Sequence, residues 1–222
     1  MTPEQLAPLV RATVVDLESP AQPLAESYLV DTNVLYFCYY QRHSQHAALD
    51  RGPAPYQTRI YPNYEKRIRA ARRRLGVTRS ILVEFLHRIE AAELTILHAI
   101  LDPNISARDA GYPIKVVRES GHLAGRLEDL RETVVTHLAV LQEHFALLPE
   151  PLWTTPFAQC LQSEWSRALI DATDASFIAE ARAAGILDII SDDAELSTVP
   201  DIRLHTANRT ATRAARQAGR LA

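Results

Sequence analysis

The stretch YLVDTNVL, residues 28–35, joins an apolar run that ends at Val30 to a polar segment that begins at Asp31. An apolar run of this kind, closed by an acid and followed by a helix-like segment, is typical of a buried strand that enters a helix. Further along the chain, apolar runs near Val77, Leu187 and Ile202 alternate with helix-like segments. Strands that alternate with helices predict an α/β fold with a mostly parallel sheet and helical insertions.

Four acids stand where this pattern places strand ends or helix starts. They are Asp31, Glu84 in what is predicted to be the first turn of a helix, Asp174 before an alanine-rich stretch, and Asp193 after the run 187–190. Loops and helix N-termini converge beyond the carboxyl ends of parallel strands, so we expect these acids to meet at one edge. Carboxylate oxygens collected there form a pocket suited to a hard divalent cation.

Composition limits the class of protein. The chain has 222 residues, 47% of them hydrophobic, which is enough for one substantial core. Two cysteines far apart in sequence do not predict a disulfide framework, and a reducing cytoplasm is the expected setting. The first 19 residues are predicted to be helical or irregular. Neither they nor any later segment has the continuous apolar length of a membrane span.

Basic residues are concentrated in two runs, although the net charge is −3. The first run is predicted to be one amphipathic helix with Ile68, Ala71 and Leu75 on its apolar face, and it carries Lys66, Arg67, Arg69, Arg72, Arg73 and Arg74. The second is a stripe at helical spacing near the C-terminus: Arg209, Arg213, Arg216 and Arg220. A solvated helix face is the ordinary explanation of one such run. For two runs beside an acidic site, binding to a nucleic-acid backbone is about as good an explanation as a solvated face.

The remaining segments are predicted from breakers and periodicity. The helix after Asp31 is expected to reach about residue 49, and residues 54–64 are expected to form a loop that bears tyrosines and prolines. The helix that carries Glu84 is expected to end at about residue 93. A long apolar stripe over 123–148 predicts a single helix that ends at Pro149, with core packing as its main role.

Four segments, in order, resemble the motifs of the PIN-domain nuclease family. They are LVDTNVL (29–35), TRSILVEF (78–85), TDASFIAEA (173–181) followed by Gly185, and IISDDAEL (189–196). The resemblance implies a PIN-like domain over 25–207 with insertions at about 50–75 and 94–165. An N-terminal extension (1–24) would precede it and a basic C-terminal helix (208–222) would follow it.

The same resemblance implies a metal-dependent endoribonuclease, of toxin type or active in RNA processing. Mg²⁺ or Mn²⁺ would be held by Asp31, Asp174 and Asp193, with Glu84 as a further catalytic acid. Five residues would orient these ligands without binding the metal themselves: Thr32, Asn33, Ser191, Asp171 and Asp192. RNA is the implied substrate, bound by the run 66–74. An antitoxin or another protein partner and a homodimer are further expectations.

Most of these residues also have a structural explanation, and Asp31 is the hardest to explain in this way because an acid at the buried end of an apolar strand needs a partner. Asp171 is suited to cap the helix that contains Asp174, and Thr32 or Asn33 to cap the helix after Asp31. Glu84 near a helix start interacts favourably with the helix dipole. Asp192 and Asp193 are suited to begin a turn, and their adjacency leaves the ligand between them open, as it is between Asp171 and Asp174.

Two other functions remain as alternatives. One is a catalytically silent RNA-binding protein on the same fold, since fold does not prove activity. The other is a phosphatase of the haloacid-dehalogenase type, which also begins with a strand and an aspartate. That family has a second aspartate two residues after its nucleophile, and Asn33 stands at this position.

Overall fold

The computed structural model describes residues 1–19, 23–40, 42, 52–101, 124–149 and 153–222. Its centre is a six-stranded sheet in the order β1-β6-β5-β2-β3-β4. The strands are β1 (Thr13–Asp16), β2 (Ser27–Val30), β3 (Arg74–Val77), β4 (Ala146–Leu147), β5 (Asp188–Ile190) and β6 (Arg203–Thr206). All the strand pairs are parallel, which confirms the predicted α/β fold with a parallel sheet.

Eight α-helices accompany the sheet in the described part of the chain. They are α1 (Pro3–Leu6), α2 (Thr32–Tyr39), α3 (Pro55–Ala70), α4 (Arg79–Leu101), α5 (Ala124–His144), α6 (Phe157–Arg167), α7 (Ala172–Ala183) and α8 (Arg209–Gln217). Short 3-10 helices cover Ala7–Leu9 and Glu195–Thr198. None of the helices described here is long and apolar enough to cross a membrane.

The central strand β2 lies in the core of the molecule. Tyr28 and Leu29 are fully buried, and Val30 is almost so. Successive residues of a strand point to opposite faces, so a run without exposed positions requires cover on both faces of the sheet. This explains why residues 28–30 are continuously apolar and why the chain becomes polar at Asp31, where β2 ends.

The N-terminal segment contributes a strand that its sequence did not predict. Residues 13–16 were expected to be helical or irregular, but they pair with β6 at one edge of the sheet. Near the C-terminus, Leu221 forms a β-bridge with Val14, and α8 packs against α1. Both terminal segments are therefore built into the same body as the central strands.

The predicted loop over residues 54–64 is wrong, because residues 55–64 belong to α3 and Ala54 is its N-cap residue. Pro55 occupies the first turn, where a missing N–H group costs nothing, but Pro62 lies inside the helix. The helix survives this proline because Tyr61 and Tyr64 are buried, at 1% and 6% exposure. Tertiary packing therefore outweighs the local breaker.

Two other helices differ in length from their predictions. α2 ends at Tyr39 rather than near residue 49, because Tyr40 adopts an extended conformation; residues 43–51 lie outside the described part of the chain. α4 continues to Leu101, beyond the expected end at about residue 93.

The long stripe over 123–148 forms a helix and a strand instead of one helix. α5 ends at His144, and residues 146–147 form the edge strand β4 beside β3. Leu130, Leu141 and Phe145 are buried, which confirms that the stripe packs in the core.

The first basic run does not form a single helix. Lys66, Arg67 and Arg69 lie on α3, which ends at Ala70. Arg72 then has a positive φ of 55° in a turn, and Arg74 begins β3. The prediction failed because Leu75, taken as part of the apolar helix face, is instead a buried strand residue.

Candidate functional site

Asp31 lies at the carboxyl end of β2 and is only 5% exposed. It is the N-cap residue of α2, but its side chain makes no capping hydrogen bond. The Oδ2 atom instead accepts hydrogen bonds from Ser191 Oγ at 2.6 Å and from Asn33 Nδ2 at 3.2 Å. The prediction that Thr32 or Asn33 caps α2 is therefore wrong, and the carboxylate is held by Ser191 after β5 and by Asn33 in the first turn of α2.

Glu84 approaches the same edge from α4. Its Oε2 atom accepts a hydrogen bond of 3.0 Å from Thr32 Oγ1, so the residue directly after Asp31 orients it. Because α4 begins at Arg79, Glu84 lies in the second helical turn and not in the predicted first turn. The effect of the helix dipole fades within the first turn, so it does not explain an acid at this position.

Asp171 and Asp174 have different surroundings on α7. Asp171 is the N-cap residue, and its Oδ1 atom accepts a hydrogen bond of 2.9 Å from the backbone N–H of Asp174. This confirms the predicted capping role of Asp171. The side chain of Asp174 is half-buried and lies in the electrostatic field of the other acids.

Ser191 connects two of the acids. Besides donating to Asp31, its Oγ atom accepts a hydrogen bond of 2.9 Å from the backbone N–H of Asp193. Asp193 Oδ1 in turn accepts from the backbone N–H of Glu195 at 2.8 Å, as in a turn initiated by aspartate. One hydroxyl therefore holds the loop after β5 against the end of β2.

Asp192 is bound from a different direction. Its carboxylate accepts hydrogen bonds from Tyr61 at 2.6 Å and Tyr56 at 3.1 Å, and from the Gln57 side chain. All three donors belong to α3, within the region predicted as an insertion. These contacts occupy the Asp192 carboxylate, whereas the neighbouring Asp193 carboxylate contributes to the field at the other acids.

The electrostatics join these acids into one group. The pKa of Asp31 is raised to about 6, chiefly by burial and also by the negative charges of Glu84 and Asp193, while the hydrogen bond from Ser191 opposes the rise. Burial also raises the pKa of Asp174 to about 8, with added repulsion from Asp31, Asp193, Asp171 and Glu84. Carboxyl groups shift in this way when they are buried and lie close to other negative charges.

A divalent cation would supply the missing positive charge, and oxygen atoms are the donors that Mg²⁺ and Mn²⁺ prefer. In the described residues, no three Asp, Glu, His or Cys side chains stand close enough to form a ready metal cage. Mg²⁺ retains several waters and commonly uses only one or two carboxylates, so an open acidic edge fits such an ion better than it fits zinc.

Arg88 is a residue at this edge that the sequence analysis did not identify. Its guanidinium group donates to Asn33 Oδ1 and lies 4.7 Å from the centre of the Tyr36 ring. Arg88, Asn33 and Asp193 contribute to the wall of one cavity of about 430 Å³. Arg88 follows Glu84 by four residues, so helical spacing alone was sufficient to place it beside that acid.

The predicted basic run 66–74 is not beside the acids. Arg74 pairs with Ser27 at the start of β2, whereas Asp31 follows the end of that strand. α3 begins near Asp192 and descends about 20 Å to its basic end, at about 1.5 Å per residue. The run therefore lies toward the opposite edge of the sheet, because α3 crosses the whole layer.

No protein-family model matches the chain, and no curated protein matches it. Among solved structures, the chain is similar to VapBC2 from Rickettsia felis bound to a DNA fragment from their promoter. That match has a TM-score of 0.46 and 9% sequence identity, and it covers 81% of this chain and 98% of the other. Likeness at this level says nothing about activity.

Proposed function

We propose that the protein is a divalent-metal-dependent endoribonuclease whose active site is the acidic edge of the sheet. The carrying observation is that the charges of Glu84 on α4 and Asp193 after β5 add to burial in raising the pKa values of two neighbouring acids, Asp31 and Asp174. Repulsion of this kind lowers stability, so it indicates a site kept for binding a cation rather than for folding.

Asp31, Asp174 and Asp193 would hold the cation, directly or through water. When bound, Mg²⁺ or Mn²⁺ would polarise a phosphoryl oxygen and lower the pKa of a coordinated water. Asp31 is suited to direct contact, since Ser191 and Asn33 occupy Oδ2 and thereby orient the whole carboxylate. Such supporting hydrogen bonds hold a ligand in its binding geometry.

Glu84 is suited to take a proton from the attacking water. Thr32 donates to Oε2 at 3.0 Å and thereby fixes the orientation of the carboxylate. A general base must stand within hydrogen-bond reach of the proton that it removes. Arg88, held by Asn33 and by the Tyr36 ring, is placed to bind a phosphate of the nucleic acid at the neighbouring cavity.

RNA as the substrate follows from the resemblance of the four motifs to PIN-domain nucleases. Arg88, which is not one of the predicted RNA-binding residues, would lie nearer to the cleaved bond than the predicted run 66–74. RNA held at the acids would reach residues 66–74 only by running along α3 to the other edge of the sheet.

The side chain of Asn33 and its hydrogen bonds argue against the phosphatase alternative. Its amide donates to Asp31 and accepts from Arg88, so it carries no acidic proton to give to a leaving group. The silent RNA-binding alternative predicts that binding occurs without cleavage, and the experiment below separates it from the nuclease.

The test compares two substitutions in the first turn of one helix. Wild type, Asp174→Asn and Asp171→Asn are each incubated with single-stranded and structured RNA, in Mg²⁺, Mn²⁺ or chelator. Asparagine is as good an N-cap residue as aspartate, so the Asp171 variant should keep its activity. The Asp174 variant should lose activity by at least about 100-fold, since removing only a supporting group around a metal often costs about 10- to 100-fold.

Asp31→Asn provides an independent check of the metal site. Cleavage by wild type that chelator abolishes and Asp31→Asn lacks would support the nuclease. RNA binding without cleavage in any metal would favour the silent protein. Hydrolysis of a small phosphate ester without action on RNA would refute the nuclease.

Whether the enzyme is a toxin or acts in RNA processing is a separate part of the proposal. Induced expression of a toxin should arrest bacterial growth, and Asp31→Asn should abolish the arrest. Arrest that a co-expressed neighbouring gene relieves would support an antitoxin, whereas normal growth with active enzyme would favour RNA processing.

A further inference from the structure

A second cavity of about 200 Å³ lies on the β4 side of the acidic edge. It is formed where β3 enters α4, where the chain leaves β4, and where α6 begins. Its lining residues are Thr78, Arg79, Leu148, Pro149, Trp153, Phe157 and Glu180. None of these residues belongs to the acid group described above.

One wall of this cavity is aromatic. The Trp153 and Phe157 rings have centroids 5.1 Å apart and an interplanar angle of 61°. Trp153 is half-buried, and Phe157 is 38% exposed. A large ring that borders an open cavity, supported by a second ring at its edge, offers a flat surface on which an unpaired base can stack.

The opposite wall is polar. Arg79 is the first residue of α4 and is exposed, so its cation and the positive end of a long helix both favour a phosphate. The Glu180 carboxylate accepts hydrogen bonds from Ser80 at 3.2 Å and from Ser176 at 3.4 Å. These serines hold the carboxylate in place while leaving it capacity to accept from an amino group of a base.

The cavity and the acidic edge share two helices. Ser80 precedes Glu84 by one turn of α4, about 6 Å, and Glu180 follows Asp174 on α7 by about 9 Å. The Ser80–Glu180 hydrogen bond therefore connects the same helices that bring Glu84 and Asp174 to the acidic edge. A nucleic acid strand at the acids would place a flanking nucleotide at this cavity.

We propose that this cavity is a subsite for one unpaired RNA base next to the cleaved bond, with the base stacked on Trp153 and its phosphate bound by Arg79. The inference rests on the proposed function and names the part of the substrate that the enzyme recognises. The volume supports one ring system, because pockets for larger organic ligands start at about 300 Å³.

The two tryptophans of the chain allow a direct binding test. Trp165 lies on α6 two turns beyond Phe157, is 57% exposed, and does not line this cavity. In a Trp165→Phe, Asp31→Asn protein, Trp153 is the sole tryptophan and cleavage is prevented. This protein is titrated in Mg²⁺ with penta-adenylate, penta-cytidylate and an abasic ribose-phosphate strand of the same length.

Both base-bearing strands should quench the Trp153 fluorescence, and the abasic strand should not. Replacing Trp153 by alanine should weaken binding of the base-bearing strands by about 5- to 150-fold, since stacking on an aromatic side chain is worth about 1–3 kcal/mol per base. Trp153→Phe should recover most of the affinity, and Trp165→Ala, the matched control, should bind as wild type does.

The outcomes separate this inference from the proposed function. Quenching that requires bases supports the subsite even if wild type cuts no RNA. Metal-dependent cleavage without quenching, with equal activity for Trp153→Ala and Trp165→Ala, would overturn the subsite and leave the nuclease intact. Equal quenching by the abasic strand would also overturn it, because the contact would then be with the backbone.

Discussion

Asp174→Asn should stabilise the metal-free protein, although it removes a proposed metal ligand. Burial and the neighbouring acids raise the pKa of Asp174 from 3.8 to about 8. Between these values the folded chain holds a proton that the unfolded chain has released. The free energy of unfolding therefore falls as pH rises through this range, and the loss is complete above about pH 8. Asparagine carries no charge and removes this loss.

The magnitude follows from the shift. A rise from 3.8 to about 8, at about 1.36 kcal/mol per pKa unit, sets an upper bound between about 5 and 6 kcal/mol. Water at the half-open edge screens part of the repulsion, and ionised Asp174 interacts favourably with the N-terminus of α7 by up to about 1 kcal/mol. We therefore expect Asp174→Asn to stabilise the protein by about 2–3 kcal/mol at about pH 9, and by less than about 1 kcal/mol at about pH 5.

Urea unfolding in chelator at both pH values measures this difference, with Asp171→Asn as the control. Mg²⁺ at about 1,000 times its dissociation constant should reverse the order of stability, because it adds about 4.1 kcal/mol to wild type alone. If Asp174→Asn is less stable than wild type at about pH 9 in chelator, the acids do not repel one another as described. Equal stabilisation of both proteins by Mg²⁺ would place the ion elsewhere.

Three further substitutions test the fold around the site. Tyr61→Phe removes the hydroxyl that donates to Asp192, and leaving this buried acceptor short of a partner should destabilise the protein by about 1–3 kcal/mol in urea unfolding. Burial lowers the pKa of His205 from 6.5 despite its hydrogen bond with Asp188. The unfolded chain therefore takes up this proton first, and the free energy of unfolding should fall as pH drops below 6.5. The same fall in a His205→Gln protein would show that His205 is not its cause. Gly185, two residues after the end of α7, has a φ of 69°, where an alanine side chain is strained, so Gly185→Ala should lower stability by about 1 kcal/mol in thermal unfolding.

The acids could be identified from the sequence because each stands at a boundary between local patterns. The apolar run before Asp31 and the Asp171 cap before Asp174 depend only on neighbouring residues, and such patterns appear directly in the chain. Parallel topology then brings strand ends to one edge, so the sequence also indicated that the acids would meet.

The choice between Asp192 and Asp193 was not available from the sequence. Both are acids after the same strand, and only the hydrogen bonds from Tyr56 and Tyr61 distinguish them. Those tyrosines belong to a segment whose prolines predicted a loop. Its burial against the loop after β5, more than 100 residues later in the chain, made it a helix instead.

The basic run separates most clearly what sequence and tertiary structure each decided. The sequence by itself determined that the central sheet is parallel and that acids collect at its carboxyl edge, because both follow from local periodicity and strand direction. Only the tertiary structure decided that the charges of residues 66–74 lie toward the other edge. The path of a crossover helix depends on packing between segments distant in sequence, and the local spacing of residues does not determine it.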